Sequence, residues 1–335
     1  MKIYPTRFTN FFIALFLTAG IISCKDNQKD QEQEVTETSQ TENNDPFFKL
    51  SLAQWSLNKK IFAGDLDPME FARVANEMEF EGIEYVSGFY AEGIKKADDP
   101  QKAMQQVLDT LKAKSEKYNV ENVLIMVDGE GELASPDEST RNAAVENHKK
   151  WVDAAEFLGC HSIRVNLFGT NDKEEWKSAA VDGLTKLSEY ASQKNVNILV
   201  ENHGYLSSNA ALLTEVMENV NMENCGTLPD FGNFCLKRKD GEQWEAECVE
   251  EYPIYKGIEE MMPYAKAVSA KSYDFDEEGN ETKLDYTRIL KIVKDAGYTG
   301  FIGVEYEGER LSEEEGIIAT RDLLIREGSK LNNNQ

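Results

Sequence analysis

The 335-residue chain is short of histidine, with 3, of cysteine, with 5, and of proline, with 8. Three histidines leave a zinc centre built from several imidazoles without enough ligands. The cysteines show no CxxC and no paired spacing. Positive charge is scarce as well, since 36 Lys and Arg stand against 61 Asp and Glu, giving a net charge of −25 spread along the whole chain. Such a surface repels phosphate backbones and anionic lipid, which excludes nucleic acid as a partner. No GxGxxG or GxxxxGK[ST] follows any strand candidate, so the usual nucleotide-cradling loops are missing. The one long apolar run, "FFIALFLTAGII", is too short for a comfortable membrane span.

That run follows Lys2 and Arg7 and ends on Ser23 and Cys24. The pattern resembles a bacterial lipoprotein signal, with "IISC" as the lipobox and Cys24 as the acylated first residue of the mature protein. Residues 25–46 hold almost nothing apolar except Val35 and cannot offset the entropy of ordering. The expected organisation is a signal peptide over 1–23, a lipidated acidic tether over 24–46 and one large domain over 47–335, exported and anchored by lipid to a bacterial membrane, periplasmic or outer. Cys160, Cys225, Cys235 and Cys248 remain; disulfides are open to an exported protein, but buried free thiols are the expectation.

From residue 50 onward, short β-rich runs alternate with helical patterns. The strand candidates are 50–57, 82–86, 122–127, 162–168, 196–202, 225–230, 267–272 and 301–306. Between them lie helical segments such as "DPMEFARVANEMEF", with Asp67 as N-cap and Pro68 at the first turn, and others closed by Gly159 and Gly297. Strand alternating with helix implies a parallel sheet, and eight such units predict an α/β fold, a closed (β/α)8 TIM barrel. The stretch from Cys235 to Ala265 is long for one loop and its helix, and is expected to lie over the barrel mouth as a substrate cover.

In such a barrel, chemistry sits where the C-terminal strand ends meet the loops. Glu201 and His203 close the fifth run two residues apart, which aims both at one face. Asp230 closes the sixth and Glu305 the eighth. Carboxylates converging from three strands repel one another unless a cation or protons intervene, and a hard divalent ion such as Mn²⁺ or Mg²⁺ suits oxygen ligands.

The "VENH" of the fifth unit, "PD-x-GN" of the sixth and "G-x-x-E" of the eighth, with "QWSL" and "NHKKWVDAAEFLGCHSIRV" earlier, resemble the xylose isomerase-like, sugar phosphate isomerase/epimerase superfamily over roughly 48–328. That superfamily includes apurinic endonucleases, inosose dehydratases and ketose 3-epimerases. The resemblance implies a divalent metal at the barrel mouth held by Glu, Asp, His and Glu, and the matching positions here are Glu201, Asp230 and Glu305. The histidine does not carry over: where the family reads like "HVHVKD" this chain reads "KAVSAKS", with Ser269 in its place. Either a divalent metal completes its shell with water, or the ammonium of Lys271, two residues on and on the same face, supplies the positive charge. The apurinic endonuclease branch is excluded by charge and by the few histidines.

The chemistry implied is abstraction of a proton next to a carbonyl of a carbohydrate through an enediolate, an isomerase or epimerase reaction with Glu201 and Glu305 as base and acid. His203 is expected to contact substrate or transfer a proton, whereas His148 and His161 are expected to pack. Trp55 could stack on a sugar face, Asn233 could bond a hydroxyl, and Glu84, Arg164 and Asn166 reach the mouth only if their strand registers face inward. A neutral or oxidised sugar fits the charge better than a sugar phosphate. The alternatives are a lyase or hydratase acting on a 3-keto-glycoside by the same enolate chemistry, and a non-catalytic carbohydrate-binding lipoprotein.

Overall fold

A computed structural model describes residues 45–241 and 246–333. The expected signal and all but the last two residues of the tether lie outside the described residues, Cys24 included. Among the described residues, no helix is long and apolar enough to cross a membrane.

Ten strands and ten α-helices follow in chain order: β1 (Lys49–Ala53), α1 (Asn58–Ala63), α2 (Phe71–Glu77), β2 (Gly82–Val86), α3 (Gly88–Lys96), α4 (Pro100–Tyr118), β3 (Glu121–Val127), α5 (Glu138–Leu158), β4 (Ser162–Val165), α6 (Lys173–Ser192), β5 (Asn197–Glu201), α7 (Ala210–Val220), β6 (Cys225–Leu228), β7 (Cys235–Arg238), β8 (Cys248–Glu251), α8 (Ile254–Met261), β9 (Val268–Ser272), α9 (Tyr286–Asp295), β10 (Phe301–Tyr306) and α10 (Glu313–Asn333). Eight strands form one parallel sheet in the order β6-β5-β4-β3-β2-β1-β10-β9. Its two ends are joined by three backbone hydrogen bonds, Lys266 N–H to Thr227 O (3.1 Å), Ser269 N–H to Pro229 O (2.9 Å) and Phe231 N–H to Ser269 O (3.1 Å). This is the parallel α/β barrel architecture that the alternation predicts.

Parallel strands covered on both faces need apolar residues on both. One cluster, including Ala53, Val86, Leu124, Met126, Leu199 and Leu228, fills the inside of the sheet's curve; a second, larger one packs the strands against the helices. Several helices start on an acidic cap, with Asp99, Asp137, Asp172 and Asp285 each accepting a backbone N–H of the first turn. Part of the surplus of acid is therefore spent on satisfying helix N-termini. Asp67 caps its turn as expected, and Gly159 and Gly297 stop their helices with φ of +80° and +77°.

The excursion after β6 contains an antiparallel hairpin, β7 with β8, that periodicity did not reveal because its strands are short and charged. A disulfide between Cys235 and Cys248, 13 residues apart, fastens it. The expectation of free thiols therefore holds for Cys160 and Cys225, both buried, and is corrected for this pair. A closed loop of this length is worth about 3 kcal/mol. Replacing both cysteines by serine is expected to make protease cleavage within 235–251 roughly a hundredfold faster. Limited proteolysis followed by mass spectrometry checks it, and equal cleavage rates would mean that the hairpin holds without its covalent link.

Candidate active site

The strand registers turn a set of polar side chains inward at the C-terminal edge of the barrel. Parallel pairing sets Lys271 of β9 opposite Glu305 of β10, and Ser269 opposite Gly303. A Cβ at Gly303 would crowd the carboxylate of Glu84, which faces it from two strands away. Oxygens of Glu201, Asp230 and Glu305 lie within 4.8 Å of one another, and all three residues are buried. The crowding expected from the three strand ends is present.

Each acid is held by named partners. Glu201 accepts from Asn233 Nδ2 at 2.9 Å and pairs with Arg164 Nε at 2.9 Å. Asp230 accepts the backbone N–H groups of Gly232 and Asn233 through Oδ1, at 2.8 and 2.9 Å, which folds the "PDFGN" turn. Its other oxygen and Glu305 Oε2 both contact the hydroxyl of Ser269, at 2.7 and 2.9 Å. The one hydroxyl proton is shared between the two carboxylates, which it draws together. Burial, with Glu201 and Glu305 nearby, pushes Asp230 up to about 8 against the pull of Lys271.

Lys271 is almost fully buried, with its ammonium 3.1 Å from Glu305, 3.2 Å from Glu307 and 3.7 Å from Asp230. Burial alone would lower its pKa, but these carboxylates more than reverse that, so the amine stays charged. Gly232 leaves room for the lysine stem, since a Cβ there would meet Lys271 Cγ and the Tyr273 hydroxyl.

A second group of residues stands at the ends of β3 to β5. Arg164 Nη1 donates to Asp128 Oδ1 (2.9 Å) and to Asn166 Oδ1 (3.1 Å), while Asn166 Nδ2 donates to Asp128 Oδ1 (2.6 Å). With Asn166 Oδ1 thus an acceptor, the 2.7 Å contact from His203 Nδ1 needs a proton on that nitrogen. Burial, then Arg164 and Lys271, lower the imidazole to about 4, so it is neutral at working pH with its lone pair on Nε2.

Of the residues singled out from sequence, Glu201, Asp230, Glu305 and Lys271 meet in one cluster, with His203 and Asn166 beside it. Asn166 engages both ends of its amide, with Asp128, Arg164 and His203, which makes it a holder of the imidazole rather than the substrate contact expected of it, while Asn233 gives one amide hydrogen bond to Glu201. Glu84 faces inward but sits one layer below, taking a hydrogen bond from Ser51 Oγ (2.6 Å), so it forms the floor and not a substrate contact. Trp55 lies beside Glu307, whose carboxyl is held below its ordinary value against burial, by Lys271 first and by the neighbouring His203 and indole to a smaller extent. His148 is buried against the Ala144 carbonyl and His161 bonds Ser162, as their packing roles suggest.

Four residues carry roles that the sequence did not assign to them. Asn202 Nδ2 donates to the carbonyls of Asp230 and Asn233 while its Oδ1 accepts the Asp230 N–H at 2.7 Å, tying β5 to the turn after β6. Asp128 closes the apolar run of β3 in the same way that Asp230 closes its own run, and Glu307 lies two residues beyond Glu305 on the same face. Those two signals were available. Ser51 gave none.

Glu84 also makes stability depend on pH. Burial, against the Ser51 hydrogen bond, pushes it up to about 8 from an ordinary 4.5. A carboxyl raised in the folded state gives stability that is complete below the unfolded pKa and lost as pH climbs through the folded one. Glu84→Gln, which keeps an acceptor for Ser51, is expected to stabilise the protein at pH 8 by on the order of 3 kcal/mol and to change little at pH 4 to 5. Urea unfolding at the two pH values checks this, and an equal effect at both would show that ionisation is not the cause.

Residues 72–327 match the family model described as xylose isomerase-like TIM barrel. The chain belongs to that family. Among solved structures, this member of the family is similar to the IOLI protein with a binding zinc atom, with 16% identity, a TM-score of 0.60 and coverage of 84% of this chain and 99% of that one. It is also similar to the apo form of a 3-keto-D-glucoside 4-epimerase from E. coli, with 12% identity, a TM-score of 0.58 and coverage of 77% and 94%. At such identities the likeness concerns the fold. Two curated relatives match over short segments: a C-glycoside deglycosidase alpha subunit of Arthrobacter globiformis, 39% identical over 54 residues, and a 3'-dehydrocarminate deglycosidase alpha subunit of a Microbacterium species, 42% identical over 48. Those segments make up 15% and 14% of the two relatives and 16% and 14% of this chain.

The donor set fits a divalent ion. Three buried carboxylates offer one oxygen each within 4.8 Å, an all-oxygen set of the kind Mg²⁺ and Mn²⁺ take. Burial raises Glu201 and Asp230, to about 7 and about 8, against the pull of Arg164 and Lys271, and a bound cation would favour their charged forms further.

Proposed function

We propose that this xylose isomerase-like protein acts on a carbohydrate by removing a proton from a carbon next to a carbonyl, as a sugar isomerase or epimerase. The observation that supports it most is Glu201. Burial pushes its carboxyl up to about 7, against the pull of Arg164, which matches the strength a general base needs near neutrality. Around it stand Lys271 and Arg164, two fixed cations in a buried site, where positive charge steadies a developing enolate far better than in water. Glu201 takes the proton, and Glu305, from the strand end across the cluster, is the acid that returns one. His203, held neutral by its surroundings and fixed in tautomer by Asn166, orients a substrate hydroxyl. Glu201, Asp230 and Glu305 would hold a divalent ion, which when bound would polarise the substrate oxygen next to the carbon being deprotonated.

The two deglycosidase matches favour a second outcome of the same chemistry. In a 3-keto-glycoside the ketone acidifies the hydrogen on C2. Once Glu201 has taken it, the electron pair left on C2 forms a double bond to C1, the bond from C1 to the aglycone breaks, and the aglycone leaves with its electron pair and gains a proton. The substrate class we infer is therefore a neutral oxidised sugar or keto-glycoside, consistent with a net charge of −25. An exported, lipid-anchored location through Cys24 is part of the proposal, and the disulfide of the hairpin supports an oxidising compartment.

The test is incubation of the full chain with 3-keto-glucosides in D₂O. Uptake of deuterium at C2 with the glycoside intact marks isomerisation or epimerisation, and release of aglycone marks elimination. Absence of both across keto-sugars would remove the proposal.

A further inference from the structure

On the β1 side of the mouth, three aromatic rings from three separate segments meet. Trp55 follows β1, Phe62 lies on α1 and Phe89 on α3. Trp55 and Phe89 are stacked at 5.9 Å with planes 13° apart, and Phe62 stands edge-on to both, at 6.0 and 5.4 Å. Phe62 is 70% exposed, the most open of the large apolar residues among those described. A single exposed apolar side chain is ordinary, but three joined rings ending in an open one form a small apolar platform.

Its position ties it to the acids. Trp55 neighbours Glu307, which pairs with Lys271, which pairs with Glu305. Trp55 is therefore the ring nearest the reacting groups, and Phe62 stands one ring further out. A free monosaccharide seated on the acids would reach Trp55 and leave Phe62 bare. A sugar with a flat group attached would cover both.

We propose that Trp55, Phe62 and Phe89 form the subsite for an aromatic aglycone, so that the preferred substrate is an aryl keto-glycoside and not a free sugar. This rests on the keto-glycoside reading of the acid site. Aromatic faces and edges attract a planar ring beyond what area alone gives, whereas a methyl group offers no such surface.

The test compares methyl and phenyl 3-keto-glucosides by calorimetric titration of the full-length protein and of Phe62→Ala, a surface change that empties no core. Binding of the phenyl glycoside is expected to be about tenfold tighter than that of the methyl glycoside, and Phe62→Ala is expected to bring the ratio below about threefold. Equal affinities in the parent, or an unaltered ratio in the variant, would overturn the subsite. Deuterium uptake at C2 of the methyl compound is followed in the same samples. Exchange without aryl preference rejects the platform and keeps the chemistry, and aryl preference without exchange keeps the platform and rejects the chemistry.

Discussion

Glu201→Gln is expected to slow deuterium exchange at the substrate carbon by about 10³-fold, within the 10²–10⁴ range of a well-placed general base. Glutamine keeps the shape of the side chain and an oxygen for the Asn233 amide, which now donates to Oε1. It cannot take a proton. The parent should show kcat/KM rising with pH through about 7 as Glu201 ionises, since the base works in its deprotonated form. His203, lowered to about 4, and Lys271, held above its usual value, do not change state over that window. The glutamine variant should lose the rise near 7, leaving only what the ionisation of Asp230, raised to about 8, contributes at higher pH. Residual exchange within a factor of ten of the parent would assign the base to another group.

Lys271→Met should harm both chemistry and folding, in amounts that pH separates. Removing one member of a buried ion cluster leaves the others uncompensated, which typically costs about 3–5 kcal/mol. Here the groups left behind are Asp230, Glu305 and Glu307, all within 3.7 Å of the lost ammonium. A lysine whose pKa is raised in the folded state gives its full stabilisation below the unfolded value near 10.5, so the loss is present throughout pH 5 to 9. Toward pH 5 the abandoned carboxyls can take up protons, and the deficit shrinks. Urea unfolding at pH 8 and pH 5 should show the larger loss at pH 8. Exchange activity should drop by about 10²–10³, the scale set by removing one preorganised positive group from an enolate site. A variant equally stable at both pH values and fully active would mean that Lys271 merely fills space.

Much of this arrangement was legible in the sequence, because one apolar run that stops on a carboxylate is a weak signal but three such runs in one barrel are a stronger one. Glu201, Asp230 and Glu305 were found in that way, and all eight barrel strands were located. The period-two rule likewise put Ser269 with Lys271 and Glu201 with His203. What the pattern could not give was depth and partnership. Glu84 and Glu305 both face inward, yet one is floor and the other wall, and only the pairing of Ser51 with Gly303 decides which. Asn166 looks like a substrate contact in one dimension, but both ends of its amide are taken, by Arg164 and, from other strand ends, by Asp128 and His203. The hairpin escaped notice because its two strands are short and charged and carry no hydrophobic alternation.

The seam between β6 and β9 has one more consequence. Two of the three bonds that shut the ring, Ser269 N–H to Pro229 and Phe231 N–H to Ser269, belong to residues that are, or adjoin, Asp230 and Ser269. The join of the cylinder and its reactive centre are thus the same few peptide units. Whatever occupies the pocket pulls directly on the latch, so a tightly held ligand should slow amide exchange along this stave more than along any other.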